Sequence, residues 1–331
     1  MKKVLIITKS NDNQCIKNVS EAIIRKGGSP IRFNTDTYPL TSALNIEFLN
    51  NKWKLELVTE NETHDLTDLE SVWYRRSAIG DSLGKVLEDK FRMPSVEESR
   101  RTFFGLLSSL DSFQFDYYWN VKKAECKQLQ LKVAASLGLE IPETLITNNA
   151  TSVPAFYHTL QGNVITKMQA SFAIYENGKE NVVFTNPIGN DDLNDLDGLQ
   201  YCPMTFQRNI EKELELRITI VGDKVFTASI NSKDHDKAKN DWRKQGQVLI
   251  NSWNEYKLPA NIETKLLQLM DYFQLNYGAI DMIVTSDNRF VFLEVNPSGE
   301  FFWLENTPGF PISETIADSL LNNIKRRGVK C

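Results

Sequence analysis

The sequence predicts an α/β protein of more than one unit, on three observations. It opens with a strand, helix, strand alternation; its last third alternates apolar and polar residues at the two-residue period of half-buried strands; and stretches with helical spacing separate the two regions. At 331 residues the chain is long enough for two or three packed units, each with its own core.

The first run, "KVLIIT" (3–8), is a compact strand pattern, and residues 15–26 carry apolar side chains at helical spacing until Gly27 and Gly28 interrupt it. "SPIRFNTD" supplies the next strand, giving a β-α-β unit that starts an open sheet. No GxGxxG follows the first strand, so the dinucleotide fingerprint is absent. "LNIEFL" and "WKLELV" flank Asn50-Asn51-Lys52 as a hairpin, and "SVWYRRS" reads as a strand ending in Arg75 and Arg76. Helices are expected over 94–110 and 122–137, the second stopped by Gly138, with a domain boundary near residue 120. Beyond it, "NVITKM", "FAIYE" and "NVVFTNPI" read as strands, followed by an acidic "NDDLNDLDGLQ" and by "PMTFQRNI". The hairpins "LELRITIVGDKVFTASI" and "AIDMIVTSDNRFVFLEV" turn at Gly222-Asp223 and Ser286-Asp287-Asn288, and helices over 261–273 and 313–325 complete the chain.

Composition narrows the partners. With 41% hydrophobic and 24% charged residues the chain reads as globular, and no apolar run approaches the roughly 20 residues that span a bilayer, so no membrane partner is expected. A net charge of -5 gives no overall footprint for nucleic acid. "MKKVLIITKSND" reads as a first strand and not as a secretion signal. The four cysteines lack CxxC spacing and only three histidines are present, so a zinc site is not expected and a reduced, cytoplasmic protein is.

Several polar residues interrupt otherwise apolar strands. Asp281 in "GAIDMIV" and Glu294 in "FLEVN" lie on adjoining strands of a tight hairpin, and Asn296 shares a face with Glu294. Two carboxylates at close quarters need a neutralising cation or proton. Their hard oxygens suit magnesium, usually held by one or two carboxylates plus substrate phosphates; a solvated hairpin face with carboxylates by chance fits the same letters. Lys167 in "NVITKMQA" is either a point charge for a phosphate or a snorkelling edge-strand lysine. Arg217 in "LELRITIVG" poses the same choice, since many strands with one wet face look alike.

Read in order, Lys127 at a helix head, Lys167, the connector "FQRNIEKE", Arg217, then Asp281, Glu294 and Asn296 resemble the layout of the ATP-grasp ligases from about residue 121 onward. More narrowly, "FNTDTYP", "VWYRRS", "KQLQLKVAASLGLEIPET", "GLQYCPMTFQ", "LELRITIVGDKVFTASIN", "LNYGAIDMIVT" and "FLEVNPSGEFFWLE" resemble the microviridin-type graspetide macrocyclases over nearly the whole chain.

That resemblance implies an α+β ATP-grasp fold behind an N-terminal open α/β pre-ATP-grasp domain. The domains implied are 1–120, a central subdomain 121–206 with a leader-docking helix, and a C-terminal subdomain 207–331 with the metal site. The activity implied is ATP-dependent macrocyclisation of a ribosomally made precursor peptide: Asp or Glu carboxylates become acyl phosphates and then ω-esters of Thr or Ser. A glutamate-adding amino acid ligase and an ω-amide-forming macrocyclase are the enzymatic alternatives, and a nucleotide-binding regulator is the non-enzymatic one. By position, Lys127 and Lys167 would contact the nucleotide, Gln207, Asn209 and Ile210 would edge the adenine, and Glu213 would meet the ribose. Arg217 would stabilise the transferring phosphoryl group with Arg243 near the acyl phosphate, and Asp281, Glu294 and Asn296 would hold one or two magnesium ions. Asp191, Asp192 and Asp195, on adjacent turns of a short helix, would grip an arginine of a helical leader; a solvated helix start favours the same acids. Arg75 and Arg76 either anchor a strand end or steer the core peptide. One departure from the ATP-grasp pattern is the absence of a glycine-rich phosphate loop, which leaves Ala170, Ser171 and Phe172 to cover the phosphates. A homodimer is the assembly the resemblance implies, and Phe301–Trp303 are expected to support the peptide side of the site.

Overall fold

The computed structural model describes residues 1–12, 14–169, 173–176, 179–182, 185–231, 249–324 and 326. Strand Lys2–Thr8 is buried from Val4 onward, which explains its continuous apolar run: both faces of a parallel sheet are covered. It pairs in parallel with Gly28–Asn34 and with Ser71–Tyr74, and the latter pairs with Phe113–Phe115 to complete a four-stranded sheet. Helix Gln14–Arg25 turns Cys15, Ile16, Val19, Ala22 and Ile23 onto one face. The chain's last helix, Ile312–Asn322, packs beside it, so the C-terminal region returns to the N-terminal sheet. Gly28 marks the join: a Cβ there would lie 2.6 Å from a Leu321 methyl carbon.

On the other face, Phe33, Val72 and Tyr74 meet Phe103, Leu106 and Leu107 of helix Asp89–Ser109. That helix starts before the expected Pro94, which lies inside it. The single helix expected over 122–137 is two, Tyr118–Ala124 and Lys127–Ser136, with Cys126 extended between them. The break is stabilised because the Gln130 side chain donates to the Ala124 carbonyl, satisfying an acceptor that the helix end leaves open. Strand Phe113–Phe115 and helix Ser152–Thr159 were not anticipated; one is too short to alternate, and the other buries only Val153 and Tyr157.

The central sheet runs Asn186–Pro187, Val164–Lys167, Met204–Arg208, Thr144–Thr147, all antiparallel. Its strand Met204–Arg208 crosses residue 206, so the division expected at 206/207 falls inside a strand. The C-terminal sheet is a five-stranded antiparallel layer in the order Asn254–Glu255, Lys224–Ile230, Leu214–Val221, Tyr277–Val284, Phe290–Asn296. Leu216, Ile218 and Ile220 share a core with Leu266, Leu269, Met270 and Phe273 of helix Ala260–Phe273. Helix Lys127–Ser136 packs on the last strand, Phe290–Asn296.

A buried arginine ties the first sheet to the turn after that strand. Arg75, 2% exposed, donates from Nε to Asp12 Oδ2 at 2.8 Å and from Nη1 to the Gly299 carbonyl at 3.2 Å. Its Nη2 lies 2.8 Å from Glu300 Oε2, and its guanidinium packs 5.7 Å from the Trp73 ring and 6.0 Å from that of Phe301. Arg76 donates to the Ser298 carbonyl at 3.0 Å and pairs with Glu300 Oε1 at 2.5 Å. The Cys15 thiol donates to Glu300 at 2.9 Å and, mainly through burial, is pushed up to about 12. Burial raises the Asp12 carboxyl, but Arg75, Arg76 and the Thr8 hydroxyl at 2.7 Å outweigh it and hold the group below its ordinary value. Arg75 is therefore buried and fixed as a structural anchor, which fits the strand-end alternative. Of the pair, only Arg76, with a third of its side chain exposed, keeps an accessible face.

Arg75→Met is expected to cost about 3–5 kcal/mol in urea unfolding, because it leaves buried Asp12 without its partner. Since Asp12 has a folded-state pKa below its unfolded one, its contribution is fully present above about pH 4 and is lost as pH falls through the folded value. The stability difference between the wild type and Asp12→Asn should accordingly narrow below about pH 4.

Candidate active site

Strand register brings the charged residues together. Arg217 stands opposite Asp281, and Asp281 opposite Glu294, so three neighbouring strands present one row of charge. The ladder shifts just after Asp281, between Asp281 and Met282, where a bulge re-aims the strand. Arg217 donates from Nη1 to Asp281 Oδ1 at 2.7 Å and from Nη2 to the Glu300 carbonyl at 3.0 Å, with its guanidinium 5.5 Å from the Trp303 ring. Burial works against its charge, but Asp281 prevails and raises its pKa, so the guanidinium stays protonated. On the far side, Lys127 Nζ lies 2.7 Å from Glu294 Oε2.

Each carboxylate thus already has a cation from the protein, and repulsion between them does not by itself require a metal. The donor set makes the better test. Among the described residues no group of three or more His, Cys, Asp and Glu side chains is arranged to hold a metal ion. Asp281, Glu294 and Asn296 offer two carboxylates and a carboxamide, with Asn296 Oδ1 also accepting the Ser298 amide at 2.9 Å. Such a sparse, all-oxygen set fits magnesium, which keeps waters and takes substrate phosphates for the rest of its shell. It does not fit zinc, which favours nitrogen and sulfur.

A cleft joins this row to the central sheet. Lys127, Lys167, Gln207 and Glu294 line it with Ile146 and Leu293, so cationic, carboxamide and apolar groups share one space. Lys167 is in register with Thr205 on the neighbouring strand, and Gln207, nearly fully buried, donates to Thr144 Oγ1 at 2.8 Å. The two lysines give the cleft the charge to meet an anion, and its apolar side chains give it a surface suited to a flat group.

Over its first third, residues 3–122, the chain matches the family model for the MvdD pre-ATP grasp domain. It is 43% identical to a Chryseobacterium gregarium RiPP-associated ATP-grasp ligase solved with ADP and a leader and core peptide, covering 99% of both chains with a TM-score of 0.92. It is 45% identical to macrocyclase MdnC of Microcystis aeruginosa MRC, solved with precursor peptide MdnA, covering 97% of this chain and 99% of that one with a TM-score of 0.87. The chain belongs to the microviridin-type macrocyclase family of ATP-grasp ligases. Macrocyclase MdnB of the same Microcystis strain is 33% identical over 97% of this chain and 99% of its own, at a TM-score of 0.80. No curated protein sequence matches the chain.

The ligase brings six of the expected residues to two clefts. Lys127, Lys167, Gln207 and Glu294 share the first, beside Arg217 and Asp281. Asn209 and Ile210 line a second, with Asn163, Arg208, Thr285 and Arg289. Glu213 opens the arginine strand, its amide donating to the Val284 carbonyl at 2.7 Å. Asp191, Asp192 and Asp195 are exposed, but they surround the single 3-10 turn Asp192–Asn194 and not a helix. The segment is rich in Asp, Asn and Gly, which are poor helix formers, and Asp192 Oδ2 accepts the Gly189 amide at 2.7 Å instead. Arg243, Ala170, Ser171 and Phe172 lie outside the described residues. Phe301 and Trp303 are buried; Phe301 belongs with Arg75, and the Trp303 ring faces Arg217.

Sequence reasoning missed Glu300, whose carbonyl accepts from Arg217, and Gln130, whose side chain reaches the backbone of Val295. In "KQLQLKVAA" a signal existed for Gln130: it follows Lys127 at helical spacing, on the side where Leu131 and Ala134 are buried.

Arg217→Ala is expected to lower peptide-dependent ADP release by about 100-fold or more, the effect of removing one preorganised donor. Arg217→Lys should recover little of it, because an ammonium cannot span Asp281 and the Glu300 carbonyl as the guanidinium fork does.

Proposed function

We propose that this ligase closes rings in a ribosomally made precursor peptide, joining Asp or Glu side chains to Thr or Ser hydroxyls as ω-esters at the expense of ATP. The observation that carries the reading is the meeting of Lys127, Lys167, Gln207 and Glu294 in one cleft beside the Arg217–Asp281 pair, in a chain similar over its full length to ligases solved with their peptides.

The chemistry asks mainly for charge neutralisation and alignment. A peptide carboxylate oxygen attacks the γ-phosphorus of ATP, and ADP leaves. The hydroxyl oxygen of Thr or Ser then attacks the acyl carbon of the resulting acyl phosphate, phosphate departs, and the hydroxyl proton passes to solvent. Lys127 and Lys167 hold the nucleotide phosphates as point charges, Gln207 with Asn209 and Ile210 borders the base, and Glu213 binds the ribose. Arg217 neutralises charge that grows on the phosphoryl oxygens, a role suited to a permanently charged, partly desolvated guanidinium. Asp281, Glu294 and Asn296 are the residues that would hold magnesium, which when bound draws charge from the phosphates. Arg243 would stand near the acyl phosphate.

The peptide is bound in two parts. Asp191, Asp192 and Asp195 receive an arginine of the helical leader, which their exposure permits, and Arg76 helps steer the Thr/Asp/Glu-rich core. No helix among the described residues is long and apolar enough to cross a membrane. The working form is taken as a cytoplasmic homodimer, on family likeness alone.

Mass spectrometry of a Thr/Asp/Glu-rich precursor incubated with enzyme, ATP and magnesium should show loss of one water per ring, and mild alkali should restore the mass if the links are esters. Losses that survive alkali would indicate amides. Asp191→Lys with Asp192→Lys should suppress processing of the leader-bearing peptide. Strong ATP turnover with free glutamate and an unchanged peptide mass would overturn the proposal.

A further inference from the structure

Strand Phe290–Asn296, which carries Glu294 and Asn296, is an edge strand. Among the described residues its ladder partner is Tyr277–Val284 on one side, and on the other it makes only a single bridge, between Val291 and Glu140, so the remaining backbone groups there need partners from elsewhere. At Phe292 the amide donates to the Glu140 carbonyl at 2.8 Å. At Val295, between Glu294 and Asn296, a single side chain supplies both partners. The Val295 amide donates to Gln130 Oε1 at 3.0 Å, and Gln130 Nε2 donates to the Val295 carbonyl at 2.8 Å. The carboxamide thus substitutes for a neighbouring strand at that one residue.

Gln130 is 1% exposed, and its Nε2 also donates to the Ala124 carbonyl. A role confined to finishing the preceding helix would need only that last bond. The two bonds to Val295 lie beyond it and act on the backbone between the proposed ligands. Lys127, three residues earlier and so on the same side of the helix, pairs with the Glu294 carboxylate at 2.7 Å. One helix therefore holds this strand twice, by side chain at Glu294 and by backbone at Val295.

We propose that Gln130 is a positioning residue of the nucleotide site: its buried carboxamide fixes the Glu294-Val295-Asn296 backbone so that the two flanking side chains stand ready for magnesium. This rests on the reading of Asp281, Glu294 and Asn296 as the magnesium-holding set. Gln130 touches neither the nucleotide nor the peptide in this account; it acts through the strand.

The test uses the full-length enzyme with ADP and magnesium as probes. Gln130→Met keeps the volume and removes the hydrogen bonds, and Gln130→Glu keeps an acceptor for the Val295 amide while losing both donors. Ile316→Val, in the fully buried face of helix Ile312–Asn322, serves as a control for general loss of stability. By calorimetry, the magnesium concentration that half-saturates ADP binding should rise about tenfold in Gln130→Met, rise less in Gln130→Glu and stay unchanged in Ile316→Val. Amide exchange at Val295 should quicken in Gln130→Met, quicken less in Gln130→Glu, which keeps an acceptor for that amide, and stay unchanged in the control. If either folded Gln130 variant keeps the wild-type magnesium dependence while Val295 exchange quickens, the residue is structural only and the positioning role fails. A wild-type enzyme whose ADP binding ignores magnesium would instead overturn the magnesium-site reading, and the inference with it.

Discussion

Two carboxylates flanked by two cations in one row of side chains govern the site. Lys127, Glu294, Asp281 and Arg217 run cation, carboxylate, carboxylate, cation, with a 2.7 Å ion pair at each end. Carboxylates on neighbouring strands repel strongly where water is scarce, and here the flanking cations offset that repulsion. The row can therefore fold without a bound ion. A carboxylate has about four acceptor positions, so pairing with a protein cation is compatible with its also meeting a hard cation.

That row depends in turn on the turn after its last strand. Arg217 is oriented by Asp281 and by the Glu300 carbonyl, and Glu300 is gripped by Arg75 and Arg76 at the edge of the first sheet and by Cys15 of helix Gln14–Arg25. The neighbouring Gly299 carbonyl accepts from both Arg75 and the Tyr277 hydroxyl, the latter at 2.7 Å. Gly299 has no room for a side chain, since a Cβ would lie 2.4 Å from that of Ala279. Two contiguous residues, Gly299 and Glu300, thus carry the alignment of the arginine, and the first domain supplies much of their support. The N-terminal sheet is for this reason part of the site's scaffold.

Where residues are linked by strand period, the sequence made the site legible. A tight hairpin and a two-residue alternation are enough to set Asp281 opposite Glu294 and Asn296 on the Glu294 face. Arg75 was not legible in the same way. Its partners Asp12 and Gly299 stand 63 and 224 residues away along the chain, and nothing local distinguishes a buried arginine with such partners from an exposed strand end. The acidic segment misled for a different reason: charge spacing resembled a helix face, while Asp, Asn and Gly prefer local turns, and Leu199 alone in that segment is fully buried, with Leu193 and Leu196 packed half-buried against the same core.

The break between Tyr118–Ala124 and Lys127–Ser136 shows why a local pattern can be right about conformation and silent about function. Helical spacing continues through Glu125 and Cys126, so nothing in the periodicity marks a stop there. An unbroken helix would pair the Ala124 carbonyl with an amide four residues on and leave Gln130 no helix end to satisfy. Breaking the helix places Lys127 at the start of a new one, where its side chain reaches Glu294, and sets Gln130 between the open Ala124 carbonyl and Val295. Two backbone carbonyls and one amide then share a single carboxamide, and each would be a buried orphan without it. The same residue that ends one helix thereby holds the strand on which Glu294 and Asn296 stand.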